Sequence, residues 1–188
     1  DKRLDRKVAI KILKLPYKNE KENSEFIIRF KREAKAIAKL NHQNIVSIFD
    51  IGNENEQYYM IMEYIEGKNL EQLLKLGVTL DLKTASLIAF QICNALEYAH
   101  NNQIIHRDIK PANIILTGTN NVKLTDFGIA LVNTSLDKNK FITGSNLLGS
   151  IAYISPEQLA NASSVDNRAD IYSLGVTIYE ALTGKLPF

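Results

Sequence analysis

Cysteine is almost absent from this 188-residue chain, with Cys93 standing alone. That excludes an internal disulfide and a cysteine-based zinc site, and it fits a reducing compartment. Glycine is missing from the first 51 residues, since none of the nine precedes Gly52. No apolar run reaches the roughly 18 residues that suggest a spanning helix, and the start does not read as a signal peptide. Neither charge sign dominates: 23 Lys and Arg face 21 Asp and Glu, a net of +2, so nothing here calls for nucleic acid or a membrane surface as partner. What is there is 45% hydrophobic and 23% charged, the profile of a soluble, cytoplasmic globular protein with material for a core, arranged as one domain or two small lobes.

The chemistry concentrates between Ile105 and Gly128. Two short apolar strands, Asn113 to Leu116 and Val122 to Leu124, flank a polar turn at Gly118 to Asn121. Such a hairpin brings Asp108, Asn113 and Asp126 into one small volume beside Arg107 and Lys110. Three oxygen-bearing side chains among cations suit a hard divalent metal and a phosphate. A polar loop followed by an Asx turn at Asp126 is the plainer reading, but it explains only one of the acids.

Around this stretch the pattern is regular. Val8 to Leu13 reads as a strand carrying Lys11 between apolar neighbours, with Pro16 as its boundary. From Ser24 to Leu40 the residues Phe26, Phe30, Ile37 and Leu40 share one helical stripe, with Glu33 in its gap. A buried carboxylate needs a cation, and Lys11 is the natural candidate; the alternative is that Glu33 lies at the stripe's edge and reaches water. Asn44 to Asp50 and Gln57 to Tyr64 predict two more strands around a turn at Gly52 to Glu56. Leu70, Leu73 and Leu74 predict a short helix closed by Gly77, after which Asp81 caps a long helix with Ala85, Ile88, Ile92, Ala95 and Ala99 inward. Cys93, with no basic neighbour in sequence, reads as an inert thiol. His42 and His100 lack a second ligand at metal spacing and read as surface or structural residues. Val132 to Ser145 is a long polar loop. A last helix opens at Asp170, carries Ile171, Leu174, Ile178, Ala181 and Leu182, and stops at Gly184 and Pro187.

The run His106-Arg107-Asp108-Ile109-Lys110-Pro111-Ala112-Asn113, followed by Asp126-Phe127-Gly128, resembles the catalytic loop and metal motif of eukaryotic-type protein serine/threonine kinases, closest in look to the bacterial branch. Val8-Ala9-Ile10-Lys11, Met60 to Gly67, Gly149 to Glu157 and Asp170 to Gly175 extend the likeness over essentially the whole chain. Ser155 before Pro156 and Ser150 are departures from the usual alanine and threonine. The resemblance implies an α+β two-lobe kinase fold truncated at both ends: residues 1–65 a partial small lobe without its glycine-rich loop, and 66–188 a partial large lobe ending after its central helix. It implies ATP and Mg²⁺ as cofactors and a protein with Ser or Thr hydroxyls as substrate, with no nucleic acid, no membrane contact from this segment, and self-association open to the longer parent.

Roles follow from the same likeness. Asp108 handles the hydroxyl proton, Lys110 steadies the phosphoryl group, and Asn113 and Asp126 hold the metal. Lys11, paired with Glu33, touches the phosphates, while Ala9, Met62 (as gatekeeper), Glu63, Ile65 and Ile115 surround the adenine, Glu63 and Ile65 through their backbones. His106 stacks with Phe127, Ile37 and Ile48, and Asp170 bonds back to the catalytic loop. A phosphate on Thr143 or Ser145 would order the polar segment, with Arg107 and Arg29 as anion partners, and the Ser150 hydroxyl would contact Asp108 and Lys110. Residues 1–188 by themselves are expected to be inactive. A pseudokinase scaffold and a small-molecule phosphotransferase are the rival readings. Intact Lys11, Glu33, Asp108, Asn113 and Asp126 argue against the first; Lys110, Phe127-Gly128 and Ser155-Pro156-Glu157 argue against the second.

Overall fold

The computed structural model describes residues 1, 4–13, 15, 20–118, 121–127, 151–161 and 165–188. Gly128, Thr143, Ser145, Gly149 and Ser150, and with them the expectations about the polar segment, lie outside the described residues.

The first part is an antiparallel sheet with one helix. Strands β1 (Val8–Ile12), β2 (Ile48–Glu54) and β3 (Gln57–Glu63) run in the order β1-β3-β2. Helix α1 (Glu20–Ile37) starts and ends a few residues before the predicted bounds. It lays Phe30 and Ala34 on Met60 of β3 to make a small core of its own. Leu40 is buried beyond the helix end.

Two boundaries differ from the sequence reading, each for a tertiary reason. The hairpin between β2 and β3 turns at Asn55 and Glu56, with φ of 48° and 63°, the left-handed pair that a tight two-residue hairpin requires. Gly52 is therefore inside β2, where the Tyr59 ring packs so closely that a Cβ would meet it at 2.2 Å. At its other end β2 begins at Ile48 and not at Asn44, because the large-lobe strand β6 (Asn121–Leu124) captures the preceding residues. Val46 N donates to Leu124 O at 2.9 Å, and Leu124 N donates to Asn44 O at 2.8 Å. The Asn44 amide completes the capture, donating to Val122 O at 2.8 Å and to Gln91 Oε1 at 2.9 Å.

The second part builds a larger core. A sheet in the order β4-β5-β6, with β4 Lys68–Asn69 and β5 Ile114–Thr117, packs with helices α2 (Leu70–Lys75), α3 (Leu82–Asn101), α4 (Pro156–Ala160) and α5 (Arg168–Thr183). Ala85, Ile88, Ile92, Ala95 and Ala99 of α3 are all buried, as their spacing predicts, and Ile88, Ile92, Ala95 and Ala99 join Leu174 and Ala181 of α5 and Ile114, Val122 and Leu124 of the sheet in one cluster. Of the predicted α5 stripe, Ile171 departs from the pattern and is exposed.

Capping agrees with the residue types. The Asp81 carboxylate accepts Thr84 N at 2.9 Å, which lowers its pKa. Asn69 and Gln72 form a reciprocal box at α2. Gly184 ends α5 at φ 72°, a conformation that costs a residue with a Cβ. Among the described residues no helix is long and apolar enough to cross a membrane.

Candidate active site

The loop from Ile104 to Lys110 leaves α3 without regular structure, and buried side chains hold it from below. Asp170, fully buried in α5, accepts His106 N at 2.9 Å and Arg107 N at 2.7 Å. His100 Nε2 meets the same carboxylate at 2.7 Å. Gln158 of α4 donates to Arg107 O at 2.9 Å. Arg107 itself sits at φ 65°, a left-handed conformation that the surroundings have to enforce.

Hydrogen bonding settles the state of His106. Its Nδ1 accepts Asp108 N at 3.2 Å, so Nε2, 3.0 Å from Thr125 O, carries the proton and donates. The ring is neutral and fully buried, and burial pushes its pKa down despite the nearby Asp170. It packs on Phe127 with centroids 4.4 Å apart and the ring planes tilted by 42°, and Ile37 and Ile48 lie in the same cluster as Phe127.

Asp108 is then dressed by its own loop. Lys110 Nζ lies 2.9 Å from Oδ1 and 2.8 Å from Oδ2. A single helical turn at Pro111–Asn113 brings the Asn113 amide back, so that Nδ2 donates to Asp108 O at 2.7 Å and to Oδ2 at 2.9 Å. A carboxylate held by an ammonium and an amide keeps one orientation at the mouth of the loop and stays able to accept a proton.

Asp126 follows β6 at φ 59°, tied to this turn through Thr125 N and Asn113 O at 3.0 Å. Here the expected Lys11–Glu33 pair is corrected. Lys11 Nζ contacts Asp126 Oδ1 at 2.7 Å, and both side chains are partly exposed. Glu33 has other cations: burial raises its pKa, and Arg107, Arg32 and Arg29 partly offset that. Glu33 and Arg107 both line a cavity of about 170 Å³ between α1 and the catalytic loop, with Ile37 and Phe127. Arg107 Nε is buried without a hydrogen-bond partner.

The donor set fits a hard cation. Asn113 uses its N–H on Asp108, which leaves an amide oxygen, and Asp126 adds a carboxylate; one or two such oxygens beside phosphate are what Mg²⁺ takes. Among the described residues no cluster of three His, Cys, Asp or Glu is assembled for a metal.

The residues expected around the base line up in the two sheets. Ala9 lies opposite Met62 in the β1–β3 register, and Ile115 lies opposite Lys123 in β5–β6. Met62, Glu63, Ile65 and Ile115 are half-buried. Glu63 carries an unexpected contact, with Lys123 Nζ at 2.7 Å. Two further anchors escaped the sequence reading: Tyr153 OH on Glu180 at 2.5 Å and Ser173 Oγ on Tyr153 O at 2.6 Å, which seat the segment before α4 on α5. Gln158 also escaped it, and of the two readings open for His100 the structural one holds through its contact with Asp170. His100 lies four residues after the buried Leu96 on α3 and seven before Arg107, and that spacing was the available signal. His42 is structural, accepting Asn44 N at 3.1 Å and stacking on Tyr98. Cys93 is exposed, and partial burial raises its pKa.

A three-stranded sheet with one helix, a helical second part, and Lys11, Asp108, Asn113 and Asp126 gathered where the two meet define a two-lobed kinase fold. The chain belongs to the protein kinase domain family, which it matches over residues 1–188. It is 47% identical over 185 residues to the serine/threonine-protein kinase PrkC of Bacillus subtilis, covering 98% of this chain and 28% of that protein. It is 41% identical over 192 residues to the serine/threonine-protein kinase PknB of Mycobacterium leprae, covering 100% of this chain and 30% of that protein. The chain thus spans under a third of the length of these relatives. Among solved structures, the PknI kinase domain of Mycobacterium tuberculosis superposes with a TM-score of 0.73 at 28% identity, over 96% of this chain and 66% of that one. Rad53 in complex with AMP-PNP gives 0.72 at 30% identity, over 96% and 42%.

Proposed function

We propose that these residues form the catalytic centre of an ATP-dependent protein serine/threonine kinase, with residues 1–65 and 66–188 as its two lobes. The observation that carries this reading is Asp108, held at once by Lys110 and Asn113 on a loop that α5 clamps from beneath. Asp108 accepts the proton of an acceptor hydroxyl, while Lys110, already 2.8 Å from that carboxylate, stays beside the transferring group and offsets its charge. Asn113 and Asp126 are the oxygen donors for Mg²⁺, which when bound would neutralise the phosphate oxygens. Lys11, beside Asp126 at 2.7 Å, would offset the charge of the nucleotide phosphates. The base lies between Ala9, Met62 and Ile115 and pairs with the backbone of Glu63 and Ile65. Catalysis of this kind rests on positioning and electrostatics.

In the intact protein Asp108→Asn should lower kcat by about 10²–10⁴-fold with ATP affinity little changed, while Asp126→Asn should weaken Mg²⁺–ATP binding. Equal loss of nucleotide affinity in both variants would refute this division of roles.

A further inference from the structure

Glu63 is expected to serve the nucleotide through its backbone, which leaves its side chain without a task. That side chain is engaged on both sides of the cleft. Its Oε2 accepts Ser47 N at 3.2 Å, within the first part of the fold, and takes Lys123 Nζ at 2.7 Å from β6 of the second. Glu63 N in turn donates to Ser47 O at 2.9 Å. Side chains alternate along a strand, so Glu63 projects from the face of β3 opposite to Met62, and the pair grips the strand from behind the base site.

The far end of the same connection is pinned as well. Gly67 lies so close to β5 that a Cβ would meet Leu116 O at 2.2 Å, and Lys68 pairs with Leu116 in the β4–β5 ladder. The five residues from Glu63 to Gly67 are therefore held at both ends by one hairpin, β6 through Lys123 and β5 through Leu116. Lys123 stands directly opposite Ile115, and opposite residues of an antiparallel pair share a face. The cation that grips the connection thus rises from the same surface as the expected floor of the base site.

We infer that Glu63 and Lys123 are a positioning pair for nucleotide binding, fixing the backbone of residues 63–65 relative to Ile115 before the base arrives. This rests on the kinase reading of the cleft. Ordering a segment costs conformational entropy for each residue fixed, and a segment ordered in advance binds its ligand more tightly. Without the lysine, Glu63 keeps only its bond to Ser47 within the small sheet, and the connection moves relative to β5 and β6. The side chains of both partners remain partly exposed, at 21% and 28%, so the effect is moderate and not all-or-none.

The test uses the intact protein, with Mg²⁺–ATP affinity by calorimetry, kcat and KM, and thermal midpoints in parallel. Lys123→Met is expected to weaken ATP binding and raise its KM by about three- to tenfold with kcat within about twofold. Lys123→Arg keeps the charge and should stay near wild type. Unchanged affinity in Lys123→Met overturns the inference, as does a loss of thermal stability and kcat with affinity preserved. Lys123→Gln gives the same comparison where the methionine variant does not fold. Wild-type protein that binds no ATP overturns the kinase reading itself, a result distinct from the others.

Discussion

The Asp170 carboxylate receives the Arg107 N–H at 2.7 Å while Arg107 stands at φ 65°. A left-handed arginine costs about 1–3 kcal/mol, and Asp170 supplies the compensation from within α5. Because that carboxylate also takes His106 N and His100 Nε2, one residue fixes both the strained turn and the segment leading into Asp108.

Asp170→Ala should therefore cost about 3 kcal/mol of stability by leaving buried donors without an acceptor, and it should lower kcat more than ATP affinity. Asp170→Asn, which keeps one accepting oxygen, should cost less. Urea unfolding and steady-state rates on the same preparations decide this; a variant with wild-type stability would show that the three donors find other acceptors.

Under the proposed role of Asp126 as a metal ligand, Lys11 would compete with the divalent ion for that carboxylate. The 2.7 Å contact gives the carboxylate a cation of its own, which a divalent ion has to displace. Lys11→Met should tighten Mn²⁺ binding in the absence of nucleotide, by about two- to fivefold for a partly exposed pair, and should weaken ATP binding. Electron paramagnetic titration of Mn²⁺ reads the first effect. Weaker Mn²⁺ binding in Lys11→Met would contradict the competition.

Glu33 gives a pH signature of defined sign. Burial raises its pKa in the folded protein above the ordinary 4.5, so between those values the native state holds more protons than the unfolded chain. Stability then falls as pH rises through that window. Glu33→Gln removes the proton site. The midpoint of wild type, measured relative to that variant, should drop as pH rises above about 4.5 and level off once Glu33 is ionised in both states; a constant difference across the range would place Glu33 in water.

His106 is depressed instead. Its ordinary value is 6.5, and burial lowers it in the fold. The unfolded chain binds the proton first, so the contribution is fully present above pH 6.5 and is lost as pH falls through the folded value. Nitrogen-edited NMR at pH 6 should find a neutral ring protonated on Nε2, as the bonds to Thr125 O and from Asp108 N require. A charged ring at that pH would refute the tautomer.

The periodic signals carried the elements: the α3 stripe from Ala85 to Ala99, the Asp81 cap, the Gly77 and Gly184 stops, and the two strands after Asn113 all stand where local residue types place them. These are short-range effects, in which burial of one face and satisfaction of end groups depend on neighbours three or four residues away. The resemblance singled out Asp108, Lys110 and Asn113, which lie within six residues of one another and come together through a single turn.

Tertiary structure decided the partners. Lys11 chose an acid 115 positions away over the glutamate that local patterning offered, and the charges that offset the burial of Glu33 are those of Arg107, Arg32 and Arg29. Asn44 left its strand because β6 and Gln91 satisfied its backbone and amide together, and His100 found Asp170 across the α3–α5 contact. A charge or a polar group takes whichever partner the packing brings within about 3 Å, and that distance is set by how whole elements cross, a quantity no single stretch of residues encodes.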